Sequence, residues 1–297
     1  MDNVQDMGLQ PPPVAEDLAA PALAQGLRIL RLLVTQPRGL SLTDVARQLD
    51  LPKSSVSRLL TTLHAEGYVG LDAGSRLYLA DLRLLELAAN LLAGFPVREK
   101  AAPYLHDLAQ ETGLAALLGV LSGDASVTID RVSLRKFSAR RGEIGVRTPA
   151  SVSSIGRVLL AYATPGVAEH FIVTHGLRAF TPRTIVEPAA FLADLALIRE
   201  RGYALNDEVW IPRVRSIAAP IRDFAGSVVA GVAVSSQDLL PEGMSDGVSA
   251  ILQHVPLLLE TAETISYSLG YHAPGLRSDA AITARSSAGR ETKGRIP

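Results

Sequence analysis

From residue 22 onward, apolar positions recur at three- and four-residue spacing in three successive stretches, and the polar positions between them change character from one stretch to the next. Over 22–35, Leu23, Leu27, Leu30 and Val34 share one helical face, and Pro37 and Gly39 stop the run. Ser41 opens a second helix. Its hydroxyl is placed to accept an amide three residues on, and Asp44 to reach back, a capping box with Asp in place of Glu or Gln. Leu42, Val45, Ala46 and Leu49 form its apolar face. Asp50-Leu51 makes a turn, and Pro52 suits the first position of a third helix, where no amide donor is needed. In that helix Val56, Leu59, Leu60 and Leu63 face inward, while Lys53, Ser54, Ser55, Ser57, Arg58 and Thr61 face outward. Gly67 suits a left-handed C-cap. Two short apolar runs, 68–71 and 76–79, then flank an Asp72-x-Gly74-Ser75 turn, which predicts a β-hairpin with Arg76 at its tip. Two short helices around a tight turn, followed by a hairpin, is the pattern of a winged helix-turn-helix that docks on DNA.

The pattern then changes. Residues 81–92 are leucine-rich with few polar positions, a helix too apolar to stay uncovered and so a candidate linker and dimer helix. Gly94-Phe95-Pro96 breaks it. Beyond it the periodicity alternates between helix and strand. Helices are expected over 97–111 (with Pro103 a restart or kink), 154–163, 167–175, 188–201 and 241–271, the last as one long helix with Ile251, Val255, Leu258, Leu259 and Ile265 inward and Pro256 a kink. Strands are expected over 115–121 and 126–132 as an antiparallel pair, a strand, loop and return over 134–147, and strands over 203–208, 214–221 and 228–235. This reads as α+β with an antiparallel sheet. The division that follows is a disordered leader at 1–21, a winged helix-turn-helix at 22–80, a linker and dimer helix at 81–96, a second domain at 97–271 and a disordered basic tail at 272–297.

Charge sharpens the first domain. The chain carries a net charge of −1, so it has no uniformly basic coat. Residues 22–80 nonetheless hold seven Lys/Arg against four Asp/Glu, the asymmetry that DNA binding needs. Lys53 lies in the N-terminal turn that reaches base edges in this motif, and Arg58 suits phosphate or a guanine edge. The small hydroxyls beside them permit close backbone approach. A winged helix that contacts protein instead of DNA is the second reading of this segment, making the chain a small-molecule-binding interaction module. The absence of cysteine excludes disulfides, thiol nucleophiles and Cys-based zinc sites, and fits a reducing cytoplasm. The first twenty residues lack a basic, then apolar, signal pattern, and no apolar run approaches a membrane span; no membrane partner is expected. The six histidines show no H-E-x-x-H spacing, and G-x-S-x-G, P-loop and G-x-G-x-x-G patterns are missing, so neither an enzyme nor a cofactor is expected.

Three stretches together resemble the IclR family of bacterial transcriptional regulators. These are LTDVARQLDLPKSSVSRLLTTLHAEGYV, TPRTI followed by LALIRERGYALNDE, and VRSIAAPIRDFAGSVVAGVAVS. The likeness runs over about residues 22–270. It implies an N-terminal winged helix-turn-helix, a linker helix and a C-terminal GAF-like effector domain with an antiparallel sheet. It also implies a homodimer or a dimer of dimers on palindromic double-stranded DNA operators, regulation of catabolic genes, and a small organic acid as effector. Carried onto this chain, the effector pocket falls on Ser153, Ser154 and Gly156 at a helix start, on Asp207, on Ser216, and on Ala233 and Ser235, which share a strand face. The helix start offers free amides and a positive dipole end to a carboxylate, and the serines offer hydroxyl donors. Two departures from the family pattern, Ser216 in place of Cys and Ala233 in place of a hydroxyl, tilt the expectation toward an aromatic acid, with Trp210 and Phe137 as further lining.

Overall fold

The computed structural model describes residues 20–134, 143–236 and 247–272. The leader, Phe137 with most of the expected segment 134–147, the start of the expected terminal helix and the basic tail lie outside the described residues. The described residues form two compact units, one ending at Phe95 and the other beginning at Pro96.

In the first unit, helices α1 (Pro21–Val34), α2 (Leu42–Leu49) and α3 (Lys53–Ala65) precede a two-stranded hairpin, β1 (Val69–Leu71) and β2 (Tyr78–Ala80), and helix α4 (Arg83–Ala93). Ser41 caps α2 through a 3.1 Å bond from the Asp44 amide, and its hydroxyl donates to the Asp44 carboxylate at 2.6 Å. Asp50 takes the left-handed conformation at the turn (φ 52°). Pro52 is the N-cap of α3 rather than its first residue, so the helix begins one position later than its sequence suggests. The core is Ile29, Leu33, Val45, Ala46, Val56, Leu60 and Val69. One expectation about α1 is corrected here. Its Leu23, Leu27 and Val34 are exposed, and the side packed inward is Gly26, Ile29 and Leu33. The helix carries two apolar stripes, and the one with Ile29 and Leu33 is the one buried in the core with α2, α3 and β1.

The second unit runs α5 (Pro96–Thr112), β3 (Ala115–Ser122), β4 (Ala125–Val132), β5 (Arg147–Pro149), α6 (Ser154–Ala161), α7 (Val167–His175), α8 (Pro188–Arg201), β6 (Ala204–Asp207), β7 (Arg215–Arg222), β8 (Val228–Ser235), α9 (Gly247–Leu252) and α10 (Val255–Ser268). The strands form one antiparallel sheet in the order β5-β4-β3-β8-β7-β6. Alternation along the strands builds two layers. Leu117, Ala204, Ala218 and Ala233 join the cluster with α6, α7 and α8, while their neighbours Leu118, Ile217, Val232 and Val234 are buried on the opposite face, against which α5 and α10 pack. Pro103 sits inside a continuous α5. The expected long terminal helix is instead two helices, α9 and α10, separated at Gln253-His254. Pro256 falls in the first turn of α10, where its missing amide donor costs no helical hydrogen bond.

Helix α6 has no exposed residue. Three glycines let it come that close. Gly119 and Gly231 are cross-strand partners, and a Cβ on either would lie 3.1–3.2 Å from an Ile155 side-chain carbon. A Cβ on Gly156 would lie 2.5 Å from both the Cα and the carbonyl oxygen of Ala150.

Candidate functional site

The polar face of α3 is open. Lys53, Ser54, Arg58 and Thr61 are exposed, while Ser55 and Ser57 are half-buried. Pro52 supplies no side-chain cap, so the first amides of α3 are left for water or phosphate. The Thr61 hydroxyl donates back to the Ser57 carbonyl at 2.9 Å, which leaves it an acceptor rather than a free donor. At the wing, the Asp72 carboxylate accepts from both the amide and the hydroxyl of Ser75 at 2.6 Å, and these bonds hold its carboxyl below the usual carboxylate range. Arg76 follows, exposed and left-handed (φ 60°), at the hairpin tip.

In the second unit, a cavity of about 70 Å³ opens between the start of α6 and the sheet. Its wall includes Ser153, Ser154, Ser216, Ala233 and Ser235 from the sequence expectation, and Trp210. Asn206, Ser216 and Ser235 occupy directly paired positions on β6, β7 and β8, so they form a row across three strands. Ser154 and Ser216 share a buried 2.8 Å hydrogen bond. Ser126 donates to Ser153 at 2.8 Å, and Ser153 accepts the Gly156 amide at 3.2 Å.

Gly156 and Asp207 do not line the cavity. The Gly156 amide is taken up by the Ser153 cap, and the residue serves close packing against Ala150. Asp207 follows Asn206 in a strand, so its side chain leaves on the other face, where it pairs with Arg183 and, at 2.7 Å, with Arg215. Asn206 takes the place expected for Asp207. Ser126, Thr128 and Thr148 also line the cavity and were not anticipated from sequence. The alternation around 206–207 was a signal for Asn206; nothing local marks the residues of β4 and β5.

The TPRTI, NDE and R-x-I-A-A-P-I stretches meet around one loop, Glu208 to Arg213, which carries Trp210. Thr181 donates to the Glu208 carbonyl (2.8 Å) and Thr184 to the Val209 carbonyl (2.6 Å). The Val209 amide donates to the Asn206 side chain (3.0 Å), and Arg215 pairs with Glu208. Glu208 and Arg213, at the ends of the loop, are both left-handed (φ 58° and 64°). Arg157 of α6 is 2% exposed. It pairs with Asp194 at 2.8 Å and donates to the Leu205 carbonyl. Burial pushes its pKa down and Asp194 works against that shift, so the pair holds a buried cation between α6 and α8.

Among the described residues no group of three His, Asp or Glu side chains is placed to hold a metal ion, and no helix is long and apolar enough to cross a membrane.

Comparison with known proteins places both units. The family model described as "IclR helix-turn-helix domain" matches residues 22–73, and the one described as "Bacterial transcriptional regulator IclR C-terminal" matches residues 89–267. The HTH-type transcriptional regulator BhcR of Paracoccus denitrificans is 35% identical over 249 residues, covering 84% of this chain and 87% of that protein. The crystal structure of the Thermotoga maritima IclR aligns with a TM-score of 0.70 at 26% identity, covering 84% of this chain and 99% of that one. An IclR homologue from Microbacterium hydrocarbonoxydans, complexed with 4-hydroxybenzoate, aligns with a TM-score of 0.69 at 25% identity, covering 84% and 98%.

Proposed function

The chain belongs to the IclR family of bacterial transcriptional regulators, whose characterised relatives are regulators rather than enzymes, and we propose that it is an effector-responsive regulator of a catabolic operon. A small organic acid bound in the second unit's cavity changes how a pair of winged helices holds a palindromic operator. The observation that carries this reading is the pairing, in one chain, of an exposed hydroxyl-and-cation helix face with a hydroxyl-lined cavity between α6 and the sheet. Lys53, Ser54, Ser55, Ser57, Arg58, Thr61 and Arg76 form the DNA-contacting set in this reading, with Lys53 and Arg58 supplying charge and the serines supplying room.

Self-association is part of the proposal. Leu82, Leu85, Leu87 and Leu91 of the α4 segment are 54–78% exposed, and an uncovered leucine surface of this kind fits a second copy, as a dimer or a dimer of dimers. Half-sites then fall about one helical turn apart, or a multiple of it. The reading places the protein in the cytoplasm with its DNA.

Gel shift and footprinting on the DNA upstream of the protein's own gene test this. The expected result is sequence-preferring binding that weakens steeply with salt and shifts when the effector is added. Absence of DNA binding at low salt, with ligand-induced stabilisation retained, would point instead to an interaction module without DNA binding.

A further inference from the structure

Helix α4 is held to the reader at one corner. No residue of α4 is buried, so core packing does not fix its direction. Its hold lies at its N-terminal end. The Asp81 amide donates to the Tyr68 carbonyl at 3.0 Å, and the Asp81 carboxylate accepts the Arg83 amide at 3.1 Å. Arg83 Nη1 donates to the Glu66 carbonyl at 3.0 Å, at the C-terminal end of α3. A cation suits that end of a helix, where carbonyls lack partners. The guanidinium lies against Gly67, which is left-handed (φ 78°); a Cβ there would be 3.1 Å from Arg83 Nε and 3.2 Å from its Cζ. The corner is itself fastened to α3, since the Tyr68 amide returns to the Leu63 carbonyl at 2.9 Å and His64 Nδ1 donates to the Val69 carbonyl at 2.8 Å. Among the described residues, Arg83 is the one side chain of α4 with a hydrogen bond to the reader.

Resting on the reading above, in which α4 pairs two copies on DNA, we propose that Arg83 is a positioning residue for operator spacing. Its guanidinium locks the pairing helix to the C-terminal end of the recognition helix, and so sets the separation at which two half-sites are read. The joint works as a lever. It lies at one end of α3 and Lys53 stands at the other, 13 residues away, which is about 20 Å of helix. A swing of about 10° at the joint carries Lys53 about 3.5 Å, close to the rise of one base pair. A copy free to swing that far reads half-sites at neighbouring separations equally well.

Full-length protein and its Arg83→Met variant are each used to select binders from a random duplex library, and affinities are then measured on the natural protein's best paired duplex and on a duplex carrying one half-site. We expect the natural protein to enrich paired half-sites at one separation. Arg83→Met is expected to enrich the same half-site at several separations and to bind the paired duplex about tenfold more weakly. Its affinity for the single half-site, the salt dependence of that affinity, and its melting temperature stay unchanged. Gly67→Asn reaches the same joint without touching Arg83, because Asn tolerates the left-handed backbone and its side chain displaces the guanidinium; the same spread of separations is expected, and it stands in if the methionine variant melts lower. One sharp separation and equal affinity in Arg83→Met overturn the proposal. So does weaker binding to the single half-site with a shallower salt dependence, which would make Arg83 a phosphate contact. If the natural protein enriches half-sites with no fixed separation, the paired reading itself fails, and if it enriches no DNA, the DNA-binding reading fails; either takes this proposal with it.

Discussion

The two units treat the same chemistry in opposite ways. On α3 the cations Lys53 and Arg58 and the hydroxyls of Ser54 and Thr61 stand at the surface, with Ser55 and Ser57 half-buried between them. Around the cavity several hydroxyls are buried and held by partners far away in sequence, as Ser154 is by Ser216 and Ser126 by Ser153. The cation Arg157 is buried too, tied to α8 through Asp194 and to β6 through the Leu205 carbonyl. A surface group of the first kind contributes mainly to what the protein touches. A buried group of the second kind contributes first to whether the unit folds.

Substitutions sharpen or break that contrast. The largest effect is expected from Arg157→Met, which leaves the Asp194 carboxylate and the Leu205 carbonyl without their partner. We expect a loss of about 3–5 kcal/mol in stability, read by denaturant unfolding; a loss below about 1 kcal/mol would mean the buried pair is not coupled to the fold. Next is Gly156→Ala, whose Cβ would meet the Ala150 backbone at 2.5 Å. Backbone cannot swing aside as a side chain can, so about 1–3 kcal/mol of destabilisation is expected in the same measurement. On the reader, Lys53→Ala and Arg58→Ala are each expected to weaken operator binding about tenfold and to reduce the salt slope by about one, with the unfolding midpoint unchanged. A destabilised Arg58→Ala would erase the contrast. The smallest effect is at Ser41. Losing the α2 cap costs about 1 kcal/mol. The Ser41 hydroxyl is also the first cause, ahead of Arg47, of a depressed Asp44 pKa. With the folded value below the unfolded one, Asp44's contribution is present above the ordinary carboxylate range and fades as pH falls through the acid range. In Ser41→Ala, Asp44 should titrate at higher pH, nearer its ordinary value, by NMR.

This contrast also governs what was legible in the sequence. The reader is local. The capping pair Ser41/Asp44, the turn at Asp50, the α3 polar face and the Asp72–Ser75 turn are all set by residues within a few positions of each other, and periodicity exposes them. Where local reading failed, two local signals competed. Helix α1 has two apolar stripes, and only packing against α2, α3 and β2 selects Ile29 and Leu33 over Leu23 and Leu27. The cavity is non-local, assembled from β3, β4, β5, α6, β6, the loop after it, β7 and β8. The family resemblance supplied Ser153, Ser154, Ser216, Ala233 and Ser235, and the structure brings these together. It also supplied Gly156 and Asp207, which a strand alternation and a packing contact send elsewhere. Ser126, Thr128 and Thr148 had no signal of their own, because nothing within β4 or β5 says which far segment the strand will face.

Helix α6 sets a limit on how the cavity's preference could be retuned. A helix buried at every residue from Ser154 to Ala161 has no position at which a substitution is silent, and three glycine contacts fix its distance from the sheet. Change is therefore channelled to the other side of the cavity, to Trp210, Ile211 and Val214, which lie on or beside a loop rather than in a closed layer. New ligand preferences in this scaffold should be sought there, by varying the loop over a constant floor.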